Sequence, residues 1–378
     1  GHDKIYPPIG CAYRSYYLSK YLSAENEVTL IGHSGKITKF KHYRFSDSFE
    51  ALEIPGLFST AVGALGYFLT RKPILDLVIA SSCKYSLRLL KEYVKHADKS
   101  QVLIFEGCWH YPLLKKIEER SRKLVVYDAH NVEYILKEQA YTGFWVELLP
   151  KIFELERALC NTSDIIFATC KEEKEMFIKL YKLDASKIYT VPHGITLPHL
   201  DREKKEERTA LFIGGAYFAN FEAAQFINNV LAEKLPEFKF KIVGRCCMAV
   251  KKSQKNVELC GVISEQEKDK LLKTSELAIN PILYGAGINV KMLEYMAYGM
   301  PIVTTTLGAR GIECDKRPFL VSELDNFAES IKLLSDDKEL AEELSRNAKE
   351  TILRKYEWSK VTEGVSELLI KKYREKLL

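Results

Sequence analysis

Residues 284–301 read YGAGINVKMLEYMAYGMP. Gly285 and Gly287 make a small-residue turn, Asn289 stands where a helix N-cap belongs, and a helical pattern runs on to Gly299 ahead of Pro301. Apolar strand patterns flank the stretch at 276–281 and 302–305. Strand, glycine turn, helix and strand make a βαβ unit, which requires parallel strands. The helix opens with Lys291, a cation facing the positive end of the helix dipole, at a cost of about 0.3–1 kcal/mol unless an anion offsets it. Free N–H groups at such a helix start form an anion site, and a phosphate there would make Lys291 a contact. The spacing places Lys291, Glu294 and Tyr298 on one helix face and Val290, Leu293, Met296 and Ala297 on the buried one. Glu294, one turn deeper, is suited to accept from sugar hydroxyls. A solvent-exposed Lys–Glu pair on an ordinary α/β helix fits the same spacing.

Working outward, the same alternation fills the chain. Strand patterns fall at 27–32, 101–106, 123–128, 164–169 and 187–191, then at 209–214, 238–243, 257–260 and 318–321. Residues 75–80 are ambiguous between strand and helix. Helical patterns cover 12–22, 220–233 and 264–273, and 326–378 apart from a break near Trp358. A chain of 378 residues exceeds one hydrophobic core. The charged run HLDREKKEER at 199–208 reads as a solvated linker. The expected organisation is an α/β domain over 1–200, a second over 209–355, and a terminal helical segment over 356–378. Each places its ligand edge at the strand C-termini, with a cleft between them. The loop GHDKIYPPIG at 1–10 precedes a helix with no strand before it, so the first strand is expected upstream of residue 1.

Composition is that of a soluble enzyme, with 47% hydrophobic and 28% charged residues. A net charge of +5 is too mild for a dedicated nucleic-acid binder. Nine scattered cysteines without a C-x-x-C pair read as reduced thiols of a cytosolic protein. The apolar segment 54–70 carries a proline and three glycines and is short for a membrane span. It reads as a buried helix–loop element, or as a surface dipping into headgroups at the inner face of a membrane.

Further glycine turns recur at strand ends: FIGG at 212–215 before Asn220, KIVG at 241–244, LCGV at 259–262, and PIVTTTLGARG at 301–311. PHGI occupies 192–195 and DAHNVE occupies 128–133. In this order and spacing the chain resembles the retaining nucleotide-sugar glycosyltransferases of the GT-B fold, the group 1 or family 4 type. The resemblance implies two Rossmann-like domains, a nucleoside-diphosphate sugar on the second, a glycan or lipid-linked acceptor on the first, and a C-terminal helix returning to the first domain. It implies donor contacts at Gly10, Gly214, Gly215, Gly261, Val262, Gly285, Ala286, Gly287, Ile288 and Asn289, with Lys291 on the diphosphate and Glu294 on the ribose. His130 resembles the histidine beside the reacting sugar and, with Glu294, is expected in the catalytic set. Glu106, in FEGCW, is an expected acceptor contact.

Three positions depart from the family pattern. Ala286 stands where the first glutamate of Glu-x7-Glu belongs, Asn289 where relatives carry arginine, and Cys11 replaces a loop glycine. Arg310 is a spare cation near the turn. His193 reads as a hinge or cleft-wall residue. There is no D-x-D, so no metal site is expected and N–H dipoles and cations must meet the leaving diphosphate. No cofactor is expected. The leading expectation is a metal-independent retaining hexosyltransferase. A non-hydrolysing sugar-nucleotide epimerase and a non-catalytic nucleotide-sugar-binding protein are the alternatives, the last favoured by Ala286.

Overall fold

The computed structural model describes residues 11–34, 39–55, 83, 86–141, 143–199, 205–285 and 287–378. Gly10, Ala286, most of the apolar segment 54–70, the ambiguous 75–80 and the N-terminal loop lie outside that set. The chain divides into two compact units, residues 1–192 with 361–378, and residues 193–360.

In the first unit, helix α1 (Cys11–Leu22) precedes β1 (Val28–Ser34), β2 (Lys41–Arg44) and β3 (Phe49–Pro55), which pair in the order β1-β3-β2. β1 and β3 are parallel, and β2 adds an antiparallel edge. Helix α2 (Leu87–Lys99) leads to β4 (Val102–Glu106) and β5 (Leu124–Asp128). Helices α3 (Glu133–Ala140) and α4 (Leu149–Thr162) follow, then β6 (Ile165–Ala168), α5 (Lys171–Tyr181) and β7 (Ile188–Thr190). Strands β4 to β7 are parallel and ordered as in the sequence. β5 is buried along its whole length, so both sheet faces are covered, and its run LVVYD is continuously apolar up to Asp128. One face packs Leu103, Phe105, Val125, Tyr127 and Ile166 against Leu159 and Phe177.

The second unit begins with β8 (Glu206–Ile213) and α6 (Phe218–Phe226), followed by β9 (Lys239–Val243) and β10 (Val257–Gly261). Helix α7 (Glu265–Thr274), β11 (Ser275–Asn280), α8 (Val290–Ala297), β12 (Ile302–Thr304) and β13 (Leu320–Val321) come next. Helices α9 (Phe327–Asp336) and α10 (Lys338–Thr351) complete it. All six strands are parallel, in the order β10-β9-β8-β11-β12-β13. The order reverses about β8, the doubly wound pattern, so ligands are expected outside the strand C-termini beside it. Alternate residues feed two cores, Phe212 and Ile279 into one, Leu211 and Ala278 into the other with Met292, Leu293 and Tyr295 of α8.

The last helix, α11 (Val365–Leu377), belongs to the first unit. Lys376 donates there to the Asp164 carboxylate at 2.7 and 2.8 Å and to the Lys123 carbonyl at 2.8 Å. Part of the charged run at 199–208 is sheet rather than linker. β8 starts at Glu206, whose carboxylate takes Lys241 at 2.6 Å, and Arg208 pairs with Asp336 at 2.6 Å. Charged partners on β9 and α9 make this polar strand start tolerable. Among the described residues, no helix is long and apolar enough to cross a membrane.

Candidate active site

Because the strands of the second unit run parallel, its glycine turns gather at one sheet edge. Gly214 N donates to the Val243 carbonyl at 2.9 Å, Gly244 N to the Gly261 carbonyl at 2.6 Å, and Cys246 N to the Gly214 carbonyl at 3.2 Å. Gly244 has φ +101°, and a Cβ there would sit 2.3 Å from the Gly214 carbonyl oxygen. The turns after β8, β9 and β10 are thus laced together by backbone alone. Gly261 itself has φ +67°, and Val262 beyond it is 74% exposed, an apolar side chain presented to solvent at the edge.

Beside this edge, Gly285 and Gly287 have φ +148° and +69° and turn the chain from β11 into α8. Ile288 is buried beneath that turn. Asn289 occupies the N-cap position, but its side chain makes no capping bond. Its Nδ2 lies 3.5 Å from the Gly308 carbonyl instead. No side-chain oxygen of Asn289 therefore competes for the N–H groups of the first turn of α8, the groups an anion would use. Arg310, in the loop after β12, comes within 3.5 Å of the Gly285 carbonyl.

Lys291, Glu294 and Tyr298 are the half-buried positions of α8 between its buried stripe residues, as the spacing expects, but Lys291 and Glu294 reach different neighbours. Lys291 Nζ donates to Asn220 Oδ1 of α6 at 2.7 Å and lies 4.3 Å from the centre of the Phe212 ring. Burial pushes its pKa down to about 7, and the nearby Cys246 thiol opposes that shift only weakly. Glu294 instead pairs with Lys268 of α7 at 2.8 Å, and Tyr298 donates to Asp269 of the same helix at 2.7 Å. Lys268 loses charge stability by burial, yet its two carboxylate partners, Glu294 and Glu265, raise its pKa overall. Val290 is a correction. It is exposed, and the buried stripe runs through Met292, Leu293, Tyr295 and Met296. A two-turn helix covered on two sides buries a wider arc than spacing alone predicts.

The first unit has its own polar cluster at the C-terminal ends of β4 and β5. Arg14 of α1 is fully buried, donating from Nε and Nη2 to Asp128 at 2.6–3.2 Å and from Nη1 to the Pro192 carbonyl at 2.8 Å. His130 Nε2 lies 3.2 Å from Glu106 Oε2, and Ser15 donates to the same oxygen. Burial draws the His130 pKa down, but Glu106, with Asp128 further off, outweighs it and the net shift is upward. Among the described residues, Glu106, Asp128 and His130 are the one set whose ligand atoms converge, within 4.8 Å, closely enough to hold a metal ion. The Arg14 guanidinium already supplies a cation to Asp128.

Two buried carboxylates hold the loop that carries His130. Glu156 of α4 accepts from the Glu133 and Tyr134 amides at 2.9 and 3.0 Å and from the Tyr127 and Tyr181 hydroxyls at 2.8 and 2.6 Å. Glu173 of α5 accepts from the Val132 amide at 3.3 Å and from the Thr169 hydroxyl. Both glutamates substitute for a side-chain N-cap on α3, where Val132 supplies none. His193 is buried, with Nδ1 at 2.8 Å from the Gly194 carbonyl and its ring 5.5 Å from Trp358. Arg14, Asn220, Lys268, Glu156 and Glu173 contact the expected site residues or the loops that carry them, and sequence reading did not select them. Only Asn220, placed just after a glycine turn, carried a local signal.

With this geometry in place, the family follows. The profile of Glycosyltransferase Family 4 matches residues 10–198, and that of Glycosyl transferases group 1 matches residues 207–337. The chain belongs to this glycosyltransferase family, and its fold is GT-B with two Rossmann-like units. Among individual proteins, it is 25% identical over 297 residues to an uncharacterized 44.6 kDa protein in the cps region of Klebsiella pneumoniae, covering 72% of this chain and 75% of that one. Among solved structures, sucrose-phosphate synthase from Thermosynechococcus elongatus superposes with a TM-score of 0.70 at 13% identity, covering 97% and 94% of the two chains. HepE of Anabaena, in complex with UDP-glucose, gives 0.63 at 13%, covering 91% and 99%. TarM gives 0.61 at 18% over 74% of this chain, which spans 57% of TarM's length.

Proposed function

We propose that the protein transfers a hexose from a nucleoside-diphosphate sugar to a glycan or lipid-linked acceptor, retaining the anomeric configuration and using no metal ion. The observation that carries this reading is Lys291, an amine held by a neutral amide at the edge where glycine turns and the α8 N-terminus meet. That set suits a diphosphate: N–H dipoles and one cation meet the charge that grows on the leaving group. Gly214, Gly215, Gly261, Val262, Gly285, Gly287, Ile288 and Asn289 line the donor site in this reading, and Glu294 takes the ribose hydroxyls after yielding part of its pairing with Lys268. HepE and TarM have been solved with UDP or a UDP-sugar, which makes uridine diphosphate the first donor nucleotide to test.

On the first unit, His130 contacts the transferred sugar and Glu106 an acceptor hydroxyl. The buried Arg14–Asp128 pair and Glu156 fix this cluster, so its groups need little reorganisation in the transition state. The leaving phosphate helps remove the acceptor proton on the same face.

Titration calorimetry with UDP and uridine tests the donor assignment. Lys291→Ala weakens UDP binding roughly tenfold or more, the scale of a charge-assisted contact, and leaves uridine unchanged. Glu294→Gln weakens both ligands. Equal UDP affinity for Lys291→Ala and wild type would remove the phosphate assignment. Donor turnover measured over a panel of nucleotide sugars then distinguishes transfer from epimerisation or from binding alone.

A further inference from the structure

We propose that Asn220 is a positioning residue of the donor site, whose side-chain amide aims the Lys291 amine at the diphosphate while keeping that amine's charge unneutralised. The proposal rests on the donor reading above. Asn220 lies in the first turn of α6, directly after the Gly214–Gly215 turn. Its Oδ1 accepts from Lys291 Nζ at 2.7 Å, and its Nδ2 donates back to the Gly215 carbonyl at 3.3 Å. Its Cβ and Cγ stand 3.0 and 3.1 Å from where a Gly214 Cβ would be, so the glycine backbone closes directly over it. One side chain thus ties the turn after β8 to the helix after β11.

The surroundings explain why an amide suits this position. Lys291 faces the Phe212 ring from β8, the Cys246 thiol from the turn after β9, and Asn220 from α6. The neighbouring Cys247, with burial, pushes the Cys246 thiol far above its ordinary pKa, while Cys246 in turn pulls the Cys247 thiol down. On α8 itself, Glu294 is turned to Lys268, and the Tyr295 hydroxyl accepts the Ile213 amide at 2.8 Å. No carboxylate among the described residues contacts Lys291. A carboxylate at position 220 would hold the amine more tightly, but would cancel its charge and repel phosphate. The amide restricts a flexible four-carbon side chain in advance, so less conformational entropy is lost when the anion arrives.

The test compares UDP and uridine affinities of wild type, Asn220→Asp, Asn220→Ser and Lys291→Ala between pH 6 and 9, with thermal midpoints alongside. Asn220→Asp is expected to weaken UDP at least roughly tenfold without weakening uridine. It also moves the alkaline loss of UDP affinity to higher pH, because a carboxylate partner raises the Lys291 pKa. That shift reports contact between position 220 and the Lys291 amine, and the uridine control separates it from a general loss of structure. Asn220→Ser, which keeps a polar side chain too short to bridge, loses about three- to tenfold for UDP only. It carries the test should Asn220→Asp not fold. If UDP affinity and its pH profile are unchanged in the Asn220 variants while Lys291→Ala weakens UDP, the positioning role is overturned and the donor site stands. If Lys291→Ala is silent as well, both fall together.

Discussion

At the scale of single residues, Lys291 illustrates how far local reading extends. Its place in a helix start after a glycine turn is visible in eighteen letters, and so is its mismatch with the helix dipole. Its partner Asn220 lies 71 positions away and is brought near only by the parallel sheet, so no local pattern contains it. The depressed Lys291 pKa has a measurable consequence. Between its ordinary pKa near 10.4 and its folded value of about 7, the unfolded chain holds a proton that the folded chain has released. Stability is therefore penalised as pH falls through that window, and the penalty is complete below it. Lys291→Met should raise the thermal midpoint relative to wild type more at pH 6.5 than at pH 10. Gly244→Ala is expected to cost about 2–4 kcal/mol in urea unfolding, since the new Cβ meets both a positive φ and the Gly214 carbonyl.

Among secondary-structure elements, strong periodicity or continuous apolar runs made most strands and helices legible, β5 and α8 among them. What escaped were β2 and β3, where no strand pattern was read, and elements stabilised from outside. The polar start of β8 depends on Lys241 and Asp336, which lie on other strands and helices. Helix α3 begins without a capping side chain and depends on Glu156, 23 positions from the amide of Glu133. DAHNVE was readable as a strand end with a histidine, but the carboxylates beneath it were not. Glu156→Gln replaces one acceptor oxygen with a donor facing donors, and should cost about 2–4 kcal/mol by chemical denaturation. His130 supplies a pH signature. Its folded pKa is raised, so its pairing with Glu106 stabilises fully below the unfolded value near 6.5 and is lost as pH rises through the folded one. His130→Gln should accordingly destabilise more at pH 5.5 than at pH 8.5.

For the molecule as a whole, the glycine turns and the GT-B pattern were legible because turn chemistry is written locally and repeats in a fixed order. The assignment of the last helix to the first unit is a long-range matter, fixed by Lys376 on Asp164, by Asn26 on Ser366 at 3.0 Å, and by the burial of Val365 and Leu369. Removing residues 361–378 should lower the first unit's thermal midpoint by several degrees or more, whereas Lys376→Ala alone, at a partly buried pair, should cost about 1–2 kcal/mol.

The second unit has its two ends pinned together. Ile195 pairs with Glu357 as a parallel bridge, and Gly194 lies so close to the Trp358 ring that a Cβ would sit 2.3 Å from it. In topological terms residues 193–360 are an insertion into the other unit, and the host remains incomplete until its final helix has been made. During synthesis from the N-terminus, the inserted unit has all its strands before the host has all its helices. The inserted unit is thus positioned to fold ahead of the unit that encloses it in sequence, and its closed ends make it a natural fragment to express alone.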